Sequence, residues 1–258
     1  MPDEPIVDYS IVLPAYNEEA LLPRTLASVR RAMENADGRR GEIVVADNDS
    51  EDGTADVARE FGARVVHDAH RQIARARNAG AAAARGRHLI FLDADTMLPP
   101  ATLCNTLAML ESGRFCGGGA AVTFDAELPR SMYLLMRGFN ASFRILRWGA
   151  GCYLYALREA FDAVGGFDER FYASEEAHFS RAIRMWGARR GLRFGVVDEP
   201  VITSDRKIAW FGWRGILREF GAIMLEPTRI MDRDGCRMWY ERPQNGGAPS
   251  PAGGEAAP

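Results

Sequence analysis

The first half of the chain alternates short apolar runs with longer amphipathic or alanine-rich segments. Four apolar runs predict buried strands, at residues 9–13, 42–46, 64–67 and 88–92. The segments between and after them predict helices, at residues 17–35, 54–61, 72–85 and 99–111. Strands that alternate with helices in this way favour an α/β fold, in which helices cover both faces of a mostly parallel central sheet.

The pattern is less regular in the second half. It predicts strands at residues 120–124, 152–156 and 194–197, and helices at residues 129–148, 174–186 and 210–225. The last of these helices is amphipathic and begins with tryptophans, so it either packs on the core or lies at a membrane surface. Residues 241–258 are rich in Gly, Ala and Pro and are predicted to be a disordered tail.

Composition narrows the class of protein without identifying it. The chain has 258 residues, of which 47% are hydrophobic and 26% charged, and this suits one globular domain with a sizeable core. A net charge of -3 leads us to expect no nucleic-acid partner. The four cysteines are widely spaced and match no metal-binding pattern. Because the N-terminus lacks the features of a signal peptide and no apolar run approaches ~20 residues, we expect a cytoplasmic protein.

Polar residues follow three of the predicted strands, at the point where each strand ends. Residues 14–18 follow the first strand, residues 47–50 follow the second, and residues 93–95 follow the fourth. In an open parallel sheet, ligands bind beyond the carboxyl ends of the strands, so these residues are expected to share one cleft. The alternative for each cluster alone is a turn former or a helix cap.

The pair Asp93 and Asp95 carries the sharpest chemical signal. Two carboxylates on a loop, two residues apart, can point into one site, and oxygen ligands of this kind suit Mg²⁺ or Mn²⁺. Such ions keep open positions that phosphate oxygens can fill. The alternative is that an aspartate here caps the helix predicted to begin at Pro99.

The ordered series of motifs PAYNEE, VVADNDSEDGT, ARARNAG, HLIFLDADT, GGFDE and SEEAHF resembles family 2 glycosyltransferases. The resemblance covers about residues 9–206. It implies the GT-A fold, which is Rossmann-like, and a smaller acceptor-side region. It also implies a nucleotide-diphosphate-sugar donor, usually linked to UDP or GDP, a divalent cation (Mn²⁺ or Mg²⁺), and inversion at the anomeric carbon. Residues 1–8 would then be an N-terminal extension, residues 9–125 the donor-binding half and residues 126–240 the acceptor-binding half.

The resemblance also implies roles for individual residues. The pocket for the base and ribose of the donor would be lined by Pro14, Ala15, Tyr16 and Glu18. Contacts with the base and phosphates would come from Asp47, Arg77 and Asn78. In the motif Asp93-Ala94-Asp95, Asp93 resembles the ribose-side carboxylate and Asp95 the direct metal ligand.

The acceptor-loop motif departs from the family pattern. Glu175-Glu176 stands where the family has Glu-Asp, so Glu176 takes the position of the catalytic base and Glu175 is the second candidate. The residues alone would allow a solvated first turn of a helix. Arg206 and Lys207, the latter the only lysine of the chain, are candidates for binding the diphosphate, and the alternative is a solvated surface pair.

Other enzyme classes fit less well. The chain has no phosphate-binding G-x-x-x-x-G-K-[ST] motif, and its first strand is followed by P-A-Y-N-E rather than a dinucleotide-binding glycine motif. A nucleotidyltransferase would usually carry a glycine- and arginine-rich loop at that place. A non-catalytic nucleotide-sugar-binding protein remains the alternative from another class. The acceptor stays unidentified, with a saccharide, or a lipid-linked acceptor reached by peripheral contact with the inner membrane face, both open.

Overall fold

The computed structural model describes residues 7–126 and 130–240. Eight strands form one sheet: β1 (Tyr9–Ala15), β2 (Gly41–Asp47), β3 (Arg64–His67), β4 (His88–Leu92), β5 (Thr96–Met97), β6 (Phe115–Phe124), β7 (Tyr153–Leu157) and β8 (Arg193–Thr203). The predicted strands are all present, and β6 and β8 are considerably longer than predicted. The two-residue strand β5 has no signal of its own in the sequence.

Nine helices surround the sheet within the described residues: α1 (Leu22–Glu34), α2 (Thr54–Glu60), α3 (Ile73–Ala83), α4 (Pro100–Glu111), α5 (Arg130–Leu146), α6 (Arg158–Val164), α7 (Glu175–Ala188), α8 (Arg206–Leu225) and α9 (Arg237–Tyr240). Two 3-10 turns, Pro227–Met231 and Asp234–Cys236, connect α8 to α9. The prediction that the first helix begins near Asn17 is wrong. Asn17 has a φ of 49°, in the left-handed region, and Pro23 lies in the first turn of α1 instead.

The sheet has the strand order β3-β2-β1-β4-β7-β6-β8-β5. The first four strands of this order are parallel, as predicted from the alternation of strands and helices. Strand β7 is antiparallel to both of its neighbours, β4 and β6, so the sheet is mixed in its second half. Because β7 lies between strands from the first half of the chain, the two halves of the chain share one continuous sheet.

Alternate residues of the central strands pack on opposite faces, and both faces are covered. Ile11, Leu13 and Ile90 contribute to one core, with α1 and α4, whereas Val12 and Phe91 contribute to the other, with α3, α6 and α7. Strands buried on both faces need apolar side chains at every position, which explains the continuous apolar runs in the sequence. The carboxyl ends of β1 and β4 are therefore fixed side by side.

The glycines at positions 117–119 lie inside β6, whereas the sequence predicts that they precede it. A Cβ atom on Gly118 would be 2.0 Å from the carbonyl oxygen of Gly195 and 2.3 Å from the hydroxyl of Tyr155. These positions therefore have to lack side chains, because strands β7 and β8 approach β6 too closely for a methyl group.

Some expectations fall outside the described residues. The predicted disordered tail at 241–258 and most of the extension at 1–8 cannot be compared with the structure, since only residues 7 and 8 of them are described. Within the described part of the chain, no helix has the length and apolar character that would let it cross a bilayer.

Candidate functional site

A cleft lies at the carboxyl ends of β1 and β4, with a volume of about 110 Å³. Nine of the residues predicted from the sequence line it: Pro14, Ala15, Tyr16, Glu18, Asp93, Ala94, Asp95, Arg206 and Lys207. The register of β1 and β4, in which Val12 is paired with Phe91, places the loops that follow both strands at the same edge of the sheet. The structure thus brings together the residues that follow β1, the residues that follow β4 and the pair Arg206 and Lys207. Asn48, from the loop after β2, also lines the cleft.

Arg206 joins two of the acidic residues in the cleft. Its guanidinium donates hydrogen bonds of 2.7 and 2.5 Å to the two carboxylate oxygens of Glu18, and its Nη2 lies 2.9 Å from Oδ2 of Asp95. The Arg206 guanidinium also lies 5.4 Å from the centre of the Trp210 ring. Arg206 therefore holds the loop after β1 against the Asp93-Ala94-Asp95 loop, and it is not the solvated surface residue that the sequence alone allowed.

Arg77 joins Asp93 to the acceptor loop from beneath the cleft. It is 2% exposed and donates hydrogen bonds to Glu175 (2.7 Å), to Asp93 (3.0 Å) and to the carbonyl oxygen of Gly151 (2.7 Å). Burial disfavours the charge on Arg77, but the carboxylates of Asp93 and Glu175 outweigh this effect and raise its pKa. Arg77 does not line the cleft, so this geometry favours a role in holding the site together over the predicted contact with the donor.

Asn78 and Asp47 also lie outside the cleft lining. The side chain of Asn78 exchanges two hydrogen bonds of 2.9 Å with the backbone of Phe167. Phe167 follows Gly165 and Gly166, which form a glycine turn before the acceptor loop. Asp47 accepts a hydrogen bond of 3.2 Å from the backbone of Ser50, and the adjacent Asn48 lines the cleft instead. Asn78 thus anchors the acceptor loop, whereas the predicted contact of Asp47 with a base remains a prediction.

Glu175 and Glu176 form the first turn of α7, next to the Arg77 network. Glu175 is buried and paired with Arg77, while Glu176 is half-buried and lies against Gly151. Burial, and then the charge of Glu175, raise the pKa of Glu176 from 4.5 to about 7. A carboxylate with a pKa near neutrality can accept and release a proton at physiological pH, as a general base requires.

The family profile described as Glycosyl transferase family 2 matches residues 10–167, which is more than half of the chain. The chain belongs to glycosyl transferase family 2. The matched residues include the loops after β1 and β4, Arg77 and the glycine turn, but end before Glu175 and Arg206. The second half of this family 2 cleft therefore lies beyond the matched region.

Several curated relatives of this family 2 chain are glycosyltransferases. A dolichyl-phosphate beta-glucosyltransferase of Drosophila melanogaster is 31% identical over an alignment of 189 residues, which covers 64% of this chain and 55% of that protein. A validoxylamine A glucosyltransferase of Streptomyces hygroscopicus subsp. limoneus is 36% identical over an alignment of 105 residues, which covers 38% of this chain and 23% of that protein. The chain thus spans from about a quarter to about half of the length of these relatives.

Solved structures with the same fold show that the family 2 chain has the GT-A architecture. The mannosyltransferase PcManGT of Pyrobaculum calidifontis, solved with GDP-Man and Mn²⁺, has a TM-score of 0.60 and 23% identity, and the match covers 90% of this chain and 65% of that one. Glucosyl-3-phosphoglycerate synthase of Mycobacterium tuberculosis, solved with Mn²⁺, UDP and glucosyl-3-phosphoglycerate, has a TM-score of 0.58 and 22% identity, with coverages of 88% and 82%. The predicted fold class is confirmed.

The two aspartates of the family 2 cleft fit a divalent cation, provided that atoms of the donor complete the coordination of the ion. Asp93 and Asp95 both line the cleft, and carboxylate oxygens are ligands that Mg²⁺ and Mn²⁺ prefer. Among the described residues, no group of three or more His, Cys, Asp or Glu side chains could hold a metal ion. The remaining ligands would be phosphate oxygens and water, and Asp95 would have to share its carboxylate with Arg206.

Several cleft residues are not predicted from the sequence. They are Arg71, Ile73, Trp210, Arg233, Met238, Trp239 and Tyr240. The guanidinium of Arg71 lies 4.8 Å from the centre of the Tyr16 ring, so this arginine extends the wall that begins at the first motif. The sequence places Trp210 at the start of a helix on the core or on a membrane, whereas the structure places it in the cleft lining. The aromatic pair Trp239 and Tyr240 is a visible signal in the sequence, but no spacing rule connects it to the strand ends.

Proposed function

We propose that the chain is a metal-dependent, inverting glycosyltransferase that moves a sugar from a UDP- or GDP-linked donor to an acceptor hydroxyl. The observation that carries the proposal is the single cleft in which Asp93 and Asp95 meet Arg206 and Lys207, linked through Arg77 to Glu175. Family membership and the GDP-Man and UDP complexes of structural neighbours support a nucleotide-sugar donor.

The cleft has the charges that a nucleotide diphosphate requires. Arg206 and Lys207 are cations beside the two aspartates, and a guanidinium can bind phosphate oxygens through paired hydrogen bonds. A divalent cation bound at Asp93 and Asp95 would offset the negative charge on the departing diphosphate. The pocket at Tyr16 and Asn48 would then accept the nucleoside, since both residues line the same cleft.

Glu176 is the proposed catalytic base. The acceptor oxygen forms a bond to the anomeric carbon while the bond between that carbon and the diphosphate oxygen breaks, and the hydroxyl proton passes to the Glu176 carboxylate. Attack from the face opposite the leaving group inverts the anomeric carbon without a covalent intermediate. The raised pKa suits Glu176 to this step, and the Arg77 pair keeps Glu175 in place beside it.

The alternatives make different demands on the same residues. A non-catalytic nucleotide-sugar-binding protein needs the cleft but no base on α7, and a nucleotidyltransferase would use a nucleoside triphosphate. The raised pKa of Glu176 beside the Arg77 network favours an enzyme.

Saccharide and lipid-linked acceptors both present a nucleophilic oxygen. For the lipid-linked class, the protein would act from the cytoplasm at the inner membrane face.

Donor and metal binding are tested without knowing the acceptor. Thermal unfolding is measured with UDP-, GDP- and dTDP-sugars, each with and without Mn²⁺, for the wild type and for Asp95→Ala. We expect one UDP- or GDP-sugar to raise the melting temperature in a Mn²⁺-dependent way, because ligands that bind the native state stabilise it. Asp95→Ala should remove the metal dependence, whereas Asp198→Ala, on an exposed carboxylate of β8, should retain it. Metal-dependent binding that persists in Asp95→Ala would refute the metal assignment.

The base is tested separately once a donor is known. Slow transfer of the sugar to water, measured as Mn²⁺-dependent release of the nucleoside diphosphate, should fall at least about 100-fold in Glu176→Gln. Donor binding should be unchanged, since Glu176 does not line the cleft. Full release activity in this variant would rule out Glu176 as the base and leave Glu175 as the candidate.

A further inference from the structure

The segment 233–240 forms a wall of the cleft that no family motif accounts for. It lies more than 60 residues beyond the part of the chain that matches the family profile, which ends at residue 167. Arg233, Met238, Trp239 and Tyr240 nevertheless line the same cleft as Tyr16 and Asp95. The segment therefore faces whatever ligand the strand-end loops bind.

Specific contacts hold this wall in place. The hydroxyl of Tyr240 accepts a hydrogen bond of 3.4 Å from the backbone N–H of Ile73, at the first turn of α3. The Tyr240 ring packs edge-on against Tyr172, with ring centres 5.7 Å apart, and the backbone N–H of Tyr172 donates a 2.6 Å hydrogen bond to Ile230. Cys236 is fully buried. The wall is thus docked on the donor side at α3 and on the acceptor loop, three residues before Glu175.

The wall offers the side chains that a nucleotide needs. Trp239 and Tyr240 are half-buried aromatic residues, and Arg233 adds a guanidinium that lies 5.5 Å from the centre of the Tyr240 ring. Aromatic faces stack on nucleobases, and guanidinium groups bind phosphates. Tyr16 and Arg71, from the loops at the strand ends, contribute a second aromatic ring and arginine to the same cleft.

The contacts with Ile73 and Tyr172 fix where the wall stands. The loops after β1 and β4 are set by the sheet, whereas residues 233–240 lie outside the sheet and include a 3-10 turn and the four-residue helix α9. Their place beside Tyr16 and Asp95 therefore depends on these side-chain and backbone contacts.

We propose that residues 233–240 are a wall of the donor site, which contacts the nucleoside diphosphate through Trp239. This inference rests on the proposed function, because it assigns further residues to that same site. The wall also connects the donor to the acceptor loop, since the Tyr240 ring packs against Tyr172.

Intrinsic tryptophan fluorescence tests the inference directly. UDP and GDP are titrated, with Mn²⁺ present, into wild type, Trp239→Ala and Trp239→Phe. The wild type should show a saturable change in fluorescence. Trp239→Ala should raise the Kd at least about fivefold, through loss of stacking. Trp239→Phe should keep the Kd within about threefold by thermal shift, because phenylalanine retains a stacking face. Its fluorescence change should be smaller than that of the wild type, and the remaining change would come from Trp210, which lines the same cleft.

Two further variants keep the test decisive. Trp186→Phe is the matched control, because Trp186 is buried near the far end of α7, and it should keep both the Kd and the fluorescence change. Tyr240→Phe deletes only the hydroxyl that accepts the hydrogen bond from Ile73. It therefore tests the same assignment through the Kd if Trp239→Ala fails to fold. It should raise the Kd about two- to tenfold.

The outcomes separate this inference from the proposed function. An unchanged Kd in Trp239→Ala refutes the assignment of residues 233–240 to the donor site, while donor binding by the wild type still stands. If the alanine variant does not fold, an unchanged Kd in Tyr240→Phe refutes it in the same way. Failure of the wild type to bind any nucleotide of the panel overturns the proposed function and the wall together. Weaker binding in Trp239→Ala, at an unchanged melting temperature without ligand, supports the wall.

Discussion

Replacing Arg77 with methionine should destabilise the fold by about 3–5 kcal/mol, the typical effect of removing one partner of a buried ion pair. Arg77 is 2% exposed, and its guanidinium donates to Glu175, Asp93 and the carbonyl oxygen of Gly151. Methionine fills much of the same volume, so the loss of packing is small. Most of the destabilisation would come from the Glu175 carboxylate, whose side chain is 4% exposed and which would remain buried without its cation.

The assay is urea unfolding, followed by circular dichroism at neutral pH, with the free energy taken from the midpoint and slope. The double variant Arg77→Met with Glu175→Gln should recover at least half of the loss, because the uncompensated charge is gone. Arg59→Met is the control, since Arg59 forms an exposed pair with Asp56 and should change stability by about 0.5 kcal/mol or less. A loss below about 1 kcal/mol in Arg77→Met, or no recovery in the double variant, would refute the view that Arg77 holds the site together.

Two other predictions concern the strand β6 and the acceptor loop. Gly118→Ala should lower the free energy of unfolding by about 1–3 kcal/mol, because its methyl group would be 2.0 Å from the carbonyl oxygen of Gly195. Gly138→Ala in helix α5 should be stabilising, because a Cβ atom there would meet nothing within 4 Å. Equal urea midpoints for the two variants would contradict this prediction. For Glu176, the folded-state pKa of about 7 lies above the ordinary 4.5, so the native state binds more protons and this group's stabilising effect is lost as the pH rises from about 4.5 to 7. Glu176→Gln should therefore raise the melting temperature more at pH 8 than at pH 5.5, and a pH-independent difference would show that the pKa is not raised.

The strand ends of the first half were predictable because their signal is local. Each strand is an apolar run that stops at polar residues, and parallel neighbours end at the same edge of the sheet. This reasoning placed the loops after β1 and β4 in one cleft, where Glu18, Asp93 and Asp95 now lie. The position of Arg206 and Lys207 after the last strand added these two cations to the expected site.

The partners of each side chain were less predictable. Arg77 and Asn78 belong to one motif, ARARNAG, yet both lie outside the cleft lining and hold the acceptor loop. On α3 the direction of a side chain depends on how the helix packs on the sheet, whereas the alanine-rich pattern indicates only helical propensity. Strand β7 shows the same limit, because its insertion between β4 and β6 pairs β4 with residues more than 60 positions away along the chain.

The sequence by itself determined the α/β class, the family and the acidic loops at the strand ends, since these depend on periodicity and on short motifs. Only the tertiary structure decided that Arg206 joins Glu18 to Asp95, that Arg77 is buried beneath the site, and that Trp239 lines the cleft. Such contacts join residues tens to almost two hundred positions apart, and their geometry is set by how helices and loops pack on the shared sheet. No local pattern of apolar and polar residues records that packing.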